Sequence, residues 1–557
     1  MSNSKNTNLR FVTASSLFDG HDASINMFRR LFQKAGIEVI HLGHNRSVQD
    51  IVTTAIQEDA DAICISSYQG GHMEYFKYMV DLLKENNVGH IKIFGGGGGT
   101  ILPKEIEELH KYGVARLYHA EDSRKLGLDG VINDIINKAT KERFDISSYD
   151  TILSKIKSKK TLGERELGKI ISLFENDYYI QIEETDSLRK QLIQSIEQAN
   201  YKRPIILGIT GPGGAGKSSL TDELVNRFLY TTKDTKIGIL AYDPSKRKTG
   251  GALLGDRIRM NSIYDSRVYV RSIATHGQSR EVGGTIKDIQ TLFKAGEFDV
   301  LILETSGIGQ GDSAIVDFCD KSIYVMTSEY GAQTQLEKID MIDFADLVAI
   351  NKFDKRGAED ALMDVRLVFA RSREVPTAPE NLKKLPVFGT TASSFNDQGV
   401  NHFFNCLISL IGENGNLKSK FDSEALKNLK NNMDFSIIPP DRQNYLAEIS
   451  KTVRDYKKET ANLQETASEL YKLKTAKSLV DNSDIETVID TLEHELGEEN
   501  LKLIKSFDSL KEVLEKDNFE YEVRGKKFSK PLFSTSLSDK KIPKIATAGF
   551  LDWGDKL

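Results

Sequence analysis

Residues 211–218 read Gly-Pro-Gly-Gly-Ala-Gly-Lys-Ser, the GxxxxGK[ST] pattern suited to phosphate binding. The stretch Gly213, Gly214, Ala215 and Gly216 lets backbone N–H groups converge on phosphate oxygens. The helix expected from Lys217 onward adds positive potential at its N-terminus. In that arrangement Lys217 reaches the β- and γ-phosphates and is a candidate catalytic group. Ser218 offers its hydroxyl to Mg²⁺, and Ser219 continues the turn. Asn351-Lys352-Phe353-Asp354 follows an apolar strand and forms an NKxD motif. The Asp354 carboxylate can accept from the N1–H and 2-amino groups of guanine. Adenine offers neither donor, so it would leave that carboxylate unpaired. The Lys352 stem can cover the base, and Thr391-Ala392-Ser393 can present backbone N–H groups to guanine O6. Glu304, in Glu304-Thr305-Ser306-Gly307-Ile308-Gly309-Gln310, ends a strand; its carboxylate can hold Mg²⁺ directly or through water, which makes it the second catalytic candidate. Asp243 and Asp256 fall in the stretch where the metal and γ-phosphate are read, and Gln310 is a candidate for positioning the attacking water. Together these residues point to GTP as substrate.

A second constellation lies near the N-terminus. Residues 19–24 read Asp-Gly-His-Asp-Ala-Ser, placed between an expected strand and an expected helix. His21 on such a loop can present an imidazole nitrogen to a metal, and Asp19 can hold the other ring nitrogen and raise the ligand's basicity. Alone, an Asp-x-His is a weak signal, but its spacing adds weight. After residue 24 come 41 residues and then Ser66-Ser67-Tyr68; after those come 26 residues and then Gly95-Gly96. Three motifs at these two intervals resemble the cobalamin-binding signature DxHxxG…SxL…GG. Ser24 stands where that signature has Gly, and Tyr68 where it has Leu. The resemblance implies that His21 takes the lower axial position of cobalt. The displaced tail base would then be buried between sheet and helix, hydrogen-bonded by Ser66 and given room by Gly95 and Gly96. His72 reads as structural or corrin-facing, and His41 and His44 read as surface histidines.

These side chains need α/β scaffolds to hold them. Apolar runs at Leu9–Ala14, Ala62–Ser66, Ile91–Phe94 and Ala115–Ala120 alternate with helical stretches, which implies a parallel sheet with crossover helices. Residues 141–200 read as charged helices. A second α/β pattern begins at Pro204–Thr210 and continues through Ile237–Tyr242, Val300–Glu304, Ser322–Thr327, Leu347–Ile350 and Val387–Thr390. From about 416 to 530 the strand signal disappears; Leu426, Leu429, Met433, Leu463, Ala467 and Leu470 have helical spacing, broken at Pro439-Pro440. The expected division is therefore a flavodoxin-like (Rossmann-like) cobalamin-binding domain at 1–141, a P-loop GTPase domain with N-terminal helices at 142–415 and a helical linker at 416–535. Residues 536–557 read as a lead-in to a further domain. The 557 residues carry 75 Lys+Arg against 81 Asp+Glu, a net −6, which argues against a nucleic-acid binder. No apolar run is long enough to span a bilayer, and no secretory signal is visible. Three separated cysteines exclude a disulfide scaffold and fit the cytoplasm.

Tyr242-Asp243-Pro244-Ser245, Gly255-Asp256-Arg257-Ile258-Arg259-Met260, the ExxGxGQ run and NKxD together resemble the MeaB-type GTPase chaperones of cobalamin-dependent mutases. Glu304 departs from the Asp found at that strand end in common small GTPases. The resemblance implies that Ser218, Asp243, Asp256 and Glu304 surround Mg²⁺, that Tyr242 and Thr305 line that shell, and that Arg259 contacts the nucleotide. A cobalamin domain followed by such a GTPase and a helical linker is similar to the N-terminal half of the fused isobutyryl-CoA mutases. That family implies adenosylcobalamin-dependent radical rearrangement of isobutyryl-CoA to n-butyryl-CoA, with the GTPase gating cofactor loading and release. It also implies three partners: an acyl-CoA mutase substrate domain in the same gene or a separate subunit, a cobalamin adenosyltransferase, and a second copy in a homodimer. A stand-alone chaperone and corrinoid carrier serving a mutase in trans is the alternative. A corrinoid methyl carrier usually has a helical cap before the cobalamin domain, and only about eight residues precede the first strand here. A B12 sensor needs an output domain, and no DNA-binding pattern is present.

Overall fold

The structure is a computed structural model. It describes residues 9–139, 147–180, 183–243, 245, 251–254, 256–274, 282–305, 313–330, 336, 339–412, 415–431, 445–479, 483–523 and 525–557. Pro244, Gly255, the run 306–310 with Gln310, Met433 and Pro439-Pro440 lie outside the described residues, as does the side chain of Asp256.

The first sheet is built from fully apolar or half-apolar strands separated by amphipathic helices. In chain order these are β1 (Arg10–Ser16), α1 (Ala23–Lys34), β2 (Glu38–Arg46), α2 (Val48–Gln57), β3 (Ala62–Ser66), α3 (His72–Glu85), β4 (Lys92–Gly96), α4 (Pro103–Tyr112), β5 (Arg116–Tyr118) and α5 (Ala120–Ala139). The Ser47 side chain accepts from the Asp50 N–H and starts α2, and Pro103 opens α4 where its missing donor costs nothing. The strands are parallel in the order β5-β4-β3-β1-β2. Strand order reverses between β1 and β3, and the crevice above the carboxyl ends at that point is where doubly wound sheets bind ligands. Both loops that carry the first constellation leave the sheet there, after β1 and after β3.

Three helices follow: α6 (Ser147–Lys157), α7 (Glu164–Ile180) and α8 (Glu183–Gln198). Their apolar faces, including Ile152, Ile170, Phe174 and Leu192, pack into the core of the second sheet. That sheet contains β6 (Ile205–Thr210), β7 (Ile237–Asp243), β9 (Val268–Ala274), β10 (Val300–Glu304), β11 (Lys321–Thr327), β12 (Leu347–Asn351) and β13 (Val387–Thr390). The order is β13-β12-β11-β6-β10-β7-β9, all parallel. Helix α9 (Lys217–Thr231) rises from the phosphate loop, and α10 (Val282–Ala295), α11 (Ala358–Ser372) and α12 (Gln398–Ile411) cover the faces. Leu417 and Leu429, the latter on α13 (Ser423–Asn431), join a second core with Phe228, Phe403 and Phe404. Residues to 431 therefore pack with the second sheet, beyond the boundary expected at 415.

The two sheets are joined by a strand exchange. Two residues, β8 (Leu253–Leu254), leave the second sheet's chain segment and extend the first sheet beside β2, pairing Val39 with Leu253 and Ile40 with Leu254. Beneath this strand three arginines meet three glutamates, all buried. Arg10 donates to Glu38 and Glu58 of the first sheet's domain and to Glu175 of α7. Arg257, just after β8, donates Nε–H to Glu58 (2.8 Å) and Nη2–H to Gln57 (2.9 Å). Arg271 of β9 donates to Glu175 and to Ser172. Breaking one partner of such a network strands a buried charge, at a cost of about 3–5 kcal/mol. The two sheets of residues 9–431 thus share one buried ionic seam.

The remainder, residues 445–557, is a unit of its own. Helices α14 (Tyr445–Lys477) and α15 (Ser483–Leu514) pack through Ala467, Leu470, Ile489 and Leu496. The expectation that strands disappear to about residue 530 does not hold. β14 (Asn518–Val523) and β15 (Lys526–Pro531) form an antiparallel hairpin. Phe519, Tyr521 and Val523 alternate along one strand, and Gly525 takes the positive φ of the turn, a period-2 signal too short to stand out against the flanking Lys and Glu. The segment read as a lead-in ends on this unit, with Trp553 packing beside Tyr471 and under Lys474.

Candidate functional site

The loop after β1 is organised by one carboxylate. Asp19 is 2% exposed. Its Oδ1 accepts from the His21 backbone N–H and from His21 Nδ1, both at 2.9 Å, and its Oδ2 accepts from the Tyr68 N–H at 2.6 Å. Burial pushes the Asp19 carboxyl up, but the N–H donors of Tyr68 and His21 outweigh it and hold the group below its ordinary value. An ionised carboxylate can only accept, so His21 Nδ1 carries a proton, and Nε2 is the ring nitrogen that Asp19 does not engage. The imidazole is 77% exposed. Asp19 therefore fixes the tautomer and ties the β1 and β3 loops together, and the Tyr68 ring sits 5.5 Å from the His21 ring.

Beside this clamp a cavity of about 340 Å³ opens between the sheet and helices α1 and α5, lined among others by Phe28, Phe32, Cys64, Phe94 and Ile135. Ser24 Oγ and Ser66 Oγ lie 2.8 Å apart at its wall and supply hydroxyls to a slot that Tyr68, Tyr118 and His119 also line. Ser24, a departure from the signature, is thus a polar partner of the expected Ser66. Gly95 and Gly96 both line the cavity, and Gly95 has a second use. A Cβ on Gly95 would lie 2.8 Å from Phe76 and 3.1 Å from Leu117, so that glycine lets the core on the other sheet face close up. Gly96, one residue on, faces the slot. An exposed imidazole oriented by a buried carboxylate, next to a largely apolar slot that carries a serine pair, fits a cobalamin whose tail base has left the metal.

At the second site, the P-loop groups are held by one another. Ser218 Oγ donates to Glu304 Oε1 (2.7 Å) and Thr221 Oγ donates to Glu304 Oε2 (3.0 Å), with Glu304 2% exposed. Lys217 Nζ donates to the carbonyls of Gly211 (3.1 Å) and Pro212 (3.4 Å). Asn351 Nδ2 donates to the Ala215 carbonyl at 2.9 Å while its Oδ1 accepts from the Ala392 N–H at 3.1 Å, so NKxD, the P-loop and the Thr391–Ser393 turn are one unit. Gly216 sits at φ +93°, and a Cβ there would lie 2.2 Å from Asn351 Nδ2. Lys352 Nζ donates to the Gly214 carbonyl (2.7 Å), laying its stem over the loop, and Phe353 packs against Gly389. Asp354 is exposed on the same turn. Oxygen donors at a helix N-terminus are the set a Mg²⁺–phosphate pair requires. Thr305 Oγ donates to Thr210 on the neighbouring strand end, and Tyr242 and Asp243 end β7, which flanks β10. Among the described residues no group of three or more acidic, histidine or cysteine side chains is gathered as a metal cage. Arg259 is exposed on a 3-10 turn.

Three features were not anticipated. Thr221 shares Glu304 with Ser218, and its position one helical turn later was the available signal. Asp222 accepts from the Asn261 and Ser262 N–H groups and fastens the segment after Arg259 to α9. His41, read as a surface residue, is 4% exposed beside Thr13, and burial with the nearby Arg29 pushes its pKa down to about 4. His72 is structural: its ring nitrogens face the Gln69 carbonyl and Glu105.

Comparison with known proteins agrees with this division. A family model described as the B12 binding domain matches residues 9–124, and one described as methylmalonyl Co-A mutase-associated GTPase MeaB matches residues 167–433. A fused isobutyryl-CoA mutase from Geobacillus kaustophilus is 46% identical over 99% of this chain and 50% of its own length. Another from Cupriavidus metallidurans is 44% identical over 99% of this chain and 49% of its own. The mouse methylmalonic aciduria type A homolog is 32% identical over 34% of this chain and 48% of its own. The chain spans about half the length of the curated fused mutases it matches. The chain thus joins a segment that matches the B12 binding domain to one that matches the MeaB GTPase, and along nearly its whole length it is similar to about half of the fused isobutyryl-CoA mutases.

Proposed function

We propose that this chain loads, holds and releases adenosylcobalamin for an acyl-CoA mutase, with GTP hydrolysis as the gate. The Asp19 clamp on His21 and Tyr68 beside the 340 Å³ slot carries this reading, because it prepares both a cobalt ligand and a berth for the tail base. When bound, adenosylcobalamin supplies the radical chemistry that interconverts isobutyryl-CoA and n-butyryl-CoA. His21 Nε2 would ligate cobalt, Asp19 would orient the ring and raise its basicity, and the Ser24–Ser66 pair would hold the displaced base. At the other site Lys217 would contact the phosphates, Ser218 and Glu304, with Asp243 and Asp256, would hold Mg²⁺, and Asp354 would read guanine. Tyr242 and Thr305 would line that metal shell, and Arg259 would contact the nucleotide.

The acyl-CoA is bound by a substrate domain, joined to this chain or supplied as a separate subunit. A cobalamin adenosyltransferase is the source of cofactor, and the working assembly is a homodimer in the cytoplasm. Among the described residues no helix is long and apolar enough to cross a membrane. The gate is tested by timing adenosylcobalamin release from the full chain with GDP and with a non-hydrolysable GTP analogue. A nucleotide-dependent release rate, with a ratio of about 5 to 150, supports it; equal rates contradict it.

A further inference from the structure

Phe18 stands out on the loop that carries His21. It is a bulky residue at φ +61°, a conformation that favours glycine, and its side chain is 84% exposed. Left-handed backbone at such a residue costs about 1–3 kcal/mol and persists only where neighbours impose it. Here they do: the Phe18 N–H donates to Asn45 Oδ1 (2.8 Å) at the end of β2, and Asn45 is itself at φ +56°. On the other side the Asp19 N–H donates to the Ser16 carbonyl (3.1 Å), and the Asp19 side chain is pinned as described. Two adjacent strand ends therefore spend conformational energy to hold an aromatic ring in water.

The position of that ring relative to the slot says what it meets. The slot and its Ser24–Ser66 pair lie on the β3, β4 and β5 side of His21. Phe18 and Asn45 lie on the opposite, β2 side. Strands are about 4.8 Å apart, so a macrocycle centred over His21 and wider than two strands crosses the end of β2 on the side away from its tail. We propose that Phe18 is a corrinoid contact, its ring covering the rim of the macrocycle opposite the tail and shielding the His21–metal bond from water. This rests on the corrinoid reading of the His21 site and adds a residue to it.

The test uses the full chain, its Phe18→Ala and Phe18→Gly variants, and two probes: adenosylcobalamin and adenosylcobinamide, which lacks the nucleotide tail. Removing one buried aromatic contact weakens binding by about 10- to 100-fold. The expected result is that loss, equal for both probes, because the contact is with the ring and not the tail. The ligand-free Phe18→Gly protein is expected to melt about 2 °C higher, since strain is relieved without loss of packing. Unchanged affinity for both corrinoids would overturn the proposal, as would a loss confined to the tailed probe or a lower melting temperature for ligand-free Phe18→Gly. If the unmodified chain bound neither probe, the His21 site itself would be misread and the proposal would fall with it.

Discussion

The corrinoid region and the nucleotide region reach readiness by opposite routes. Around His21 the polar groups are committed before any ligand arrives: Asp19 is ionised, its donors are in place, and an apolar slot stands open beside the exposed imidazole. Around Lys217 the same groups that must hold phosphate, metal and base are satisfied by one another: Lys217 by loop carbonyls, Ser218 by Glu304, Lys352 by Gly214. The first site is a socket. The second is a knot of hydrogen bonds among its own groups, so a change at one of them is felt by the others. Between them runs the Arg10–Glu58–Arg257 seam, which ties the stretch after β8 to the cobalamin sheet.

The comparison predicts effects of decreasing size. Glu58→Gln should destabilise residues 9–431 by about 3–5 kcal/mol, because Arg10 and Arg257 lose a shared buried partner. Chemical denaturation followed by separate probes of the two halves should show both shifting together; independent transitions would mean the seam does not join them. Lys217→Ala should lower kcat/KM for GTP by about 10²- to 10³-fold while leaving the His21 socket's corrinoid affinity in the absence of nucleotide unaltered. Steady-state kinetics and corrinoid titration check the two parts, and an equal fall in both would erase the contrast. Asp354→Asn should cut the preference for GTP over ATP by about 100-fold, read from paired kcat/KM values. ATP used as well as GTP by the unmodified chain would remove the base-reading role.

The smallest effect is a pH dependence on the socket side. Buried His41 protonates only near pH 4 in the folded chain, whereas the unfolded chain takes up that proton near its ordinary 6.5. The unfolded state therefore binds more protons between those values, and the stabilisation present above pH 6.5 is lost as pH falls towards 4. Between pH 7 and pH 5 this amounts to about 2 kcal/mol. His41→Gln should flatten that slope in urea melts, and an unchanged slope would mean the ring is not held neutral.

The chemistry-bearing residues were legible because their types and intervals are constrained by what they touch. Ser66 and Gly96 line the cavity beside the Asp19–His21–Tyr68 clamp, and the P-loop and NKxD are hydrogen-bonded to each other. The seam was not legible. Glu38, Glu58, Glu175, Arg257 and Arg271 look like surface charges along the chain, and only the fold brings them together inside. Strand β8 is two residues long and pairs with a sheet that belongs to another domain, so no periodicity announces it. The hairpin at 518–531 was masked by its Lys and Glu content, and the burial of His41 follows from its place on an inner strand and not from its neighbours in sequence.

The central claim is that this chain replaces the tail base of cobalamin by His21. Visible absorption of adenosylcobalamin, recorded with the full chain and with its His21→Ala variant, tests it directly. The account predicts a histidine-ligated spectrum with the tail base displaced for the unmodified chain, and its loss in the variant. A spectrum in which the cofactor keeps its own base on cobalt, or one that is identical in the two proteins, would contradict it.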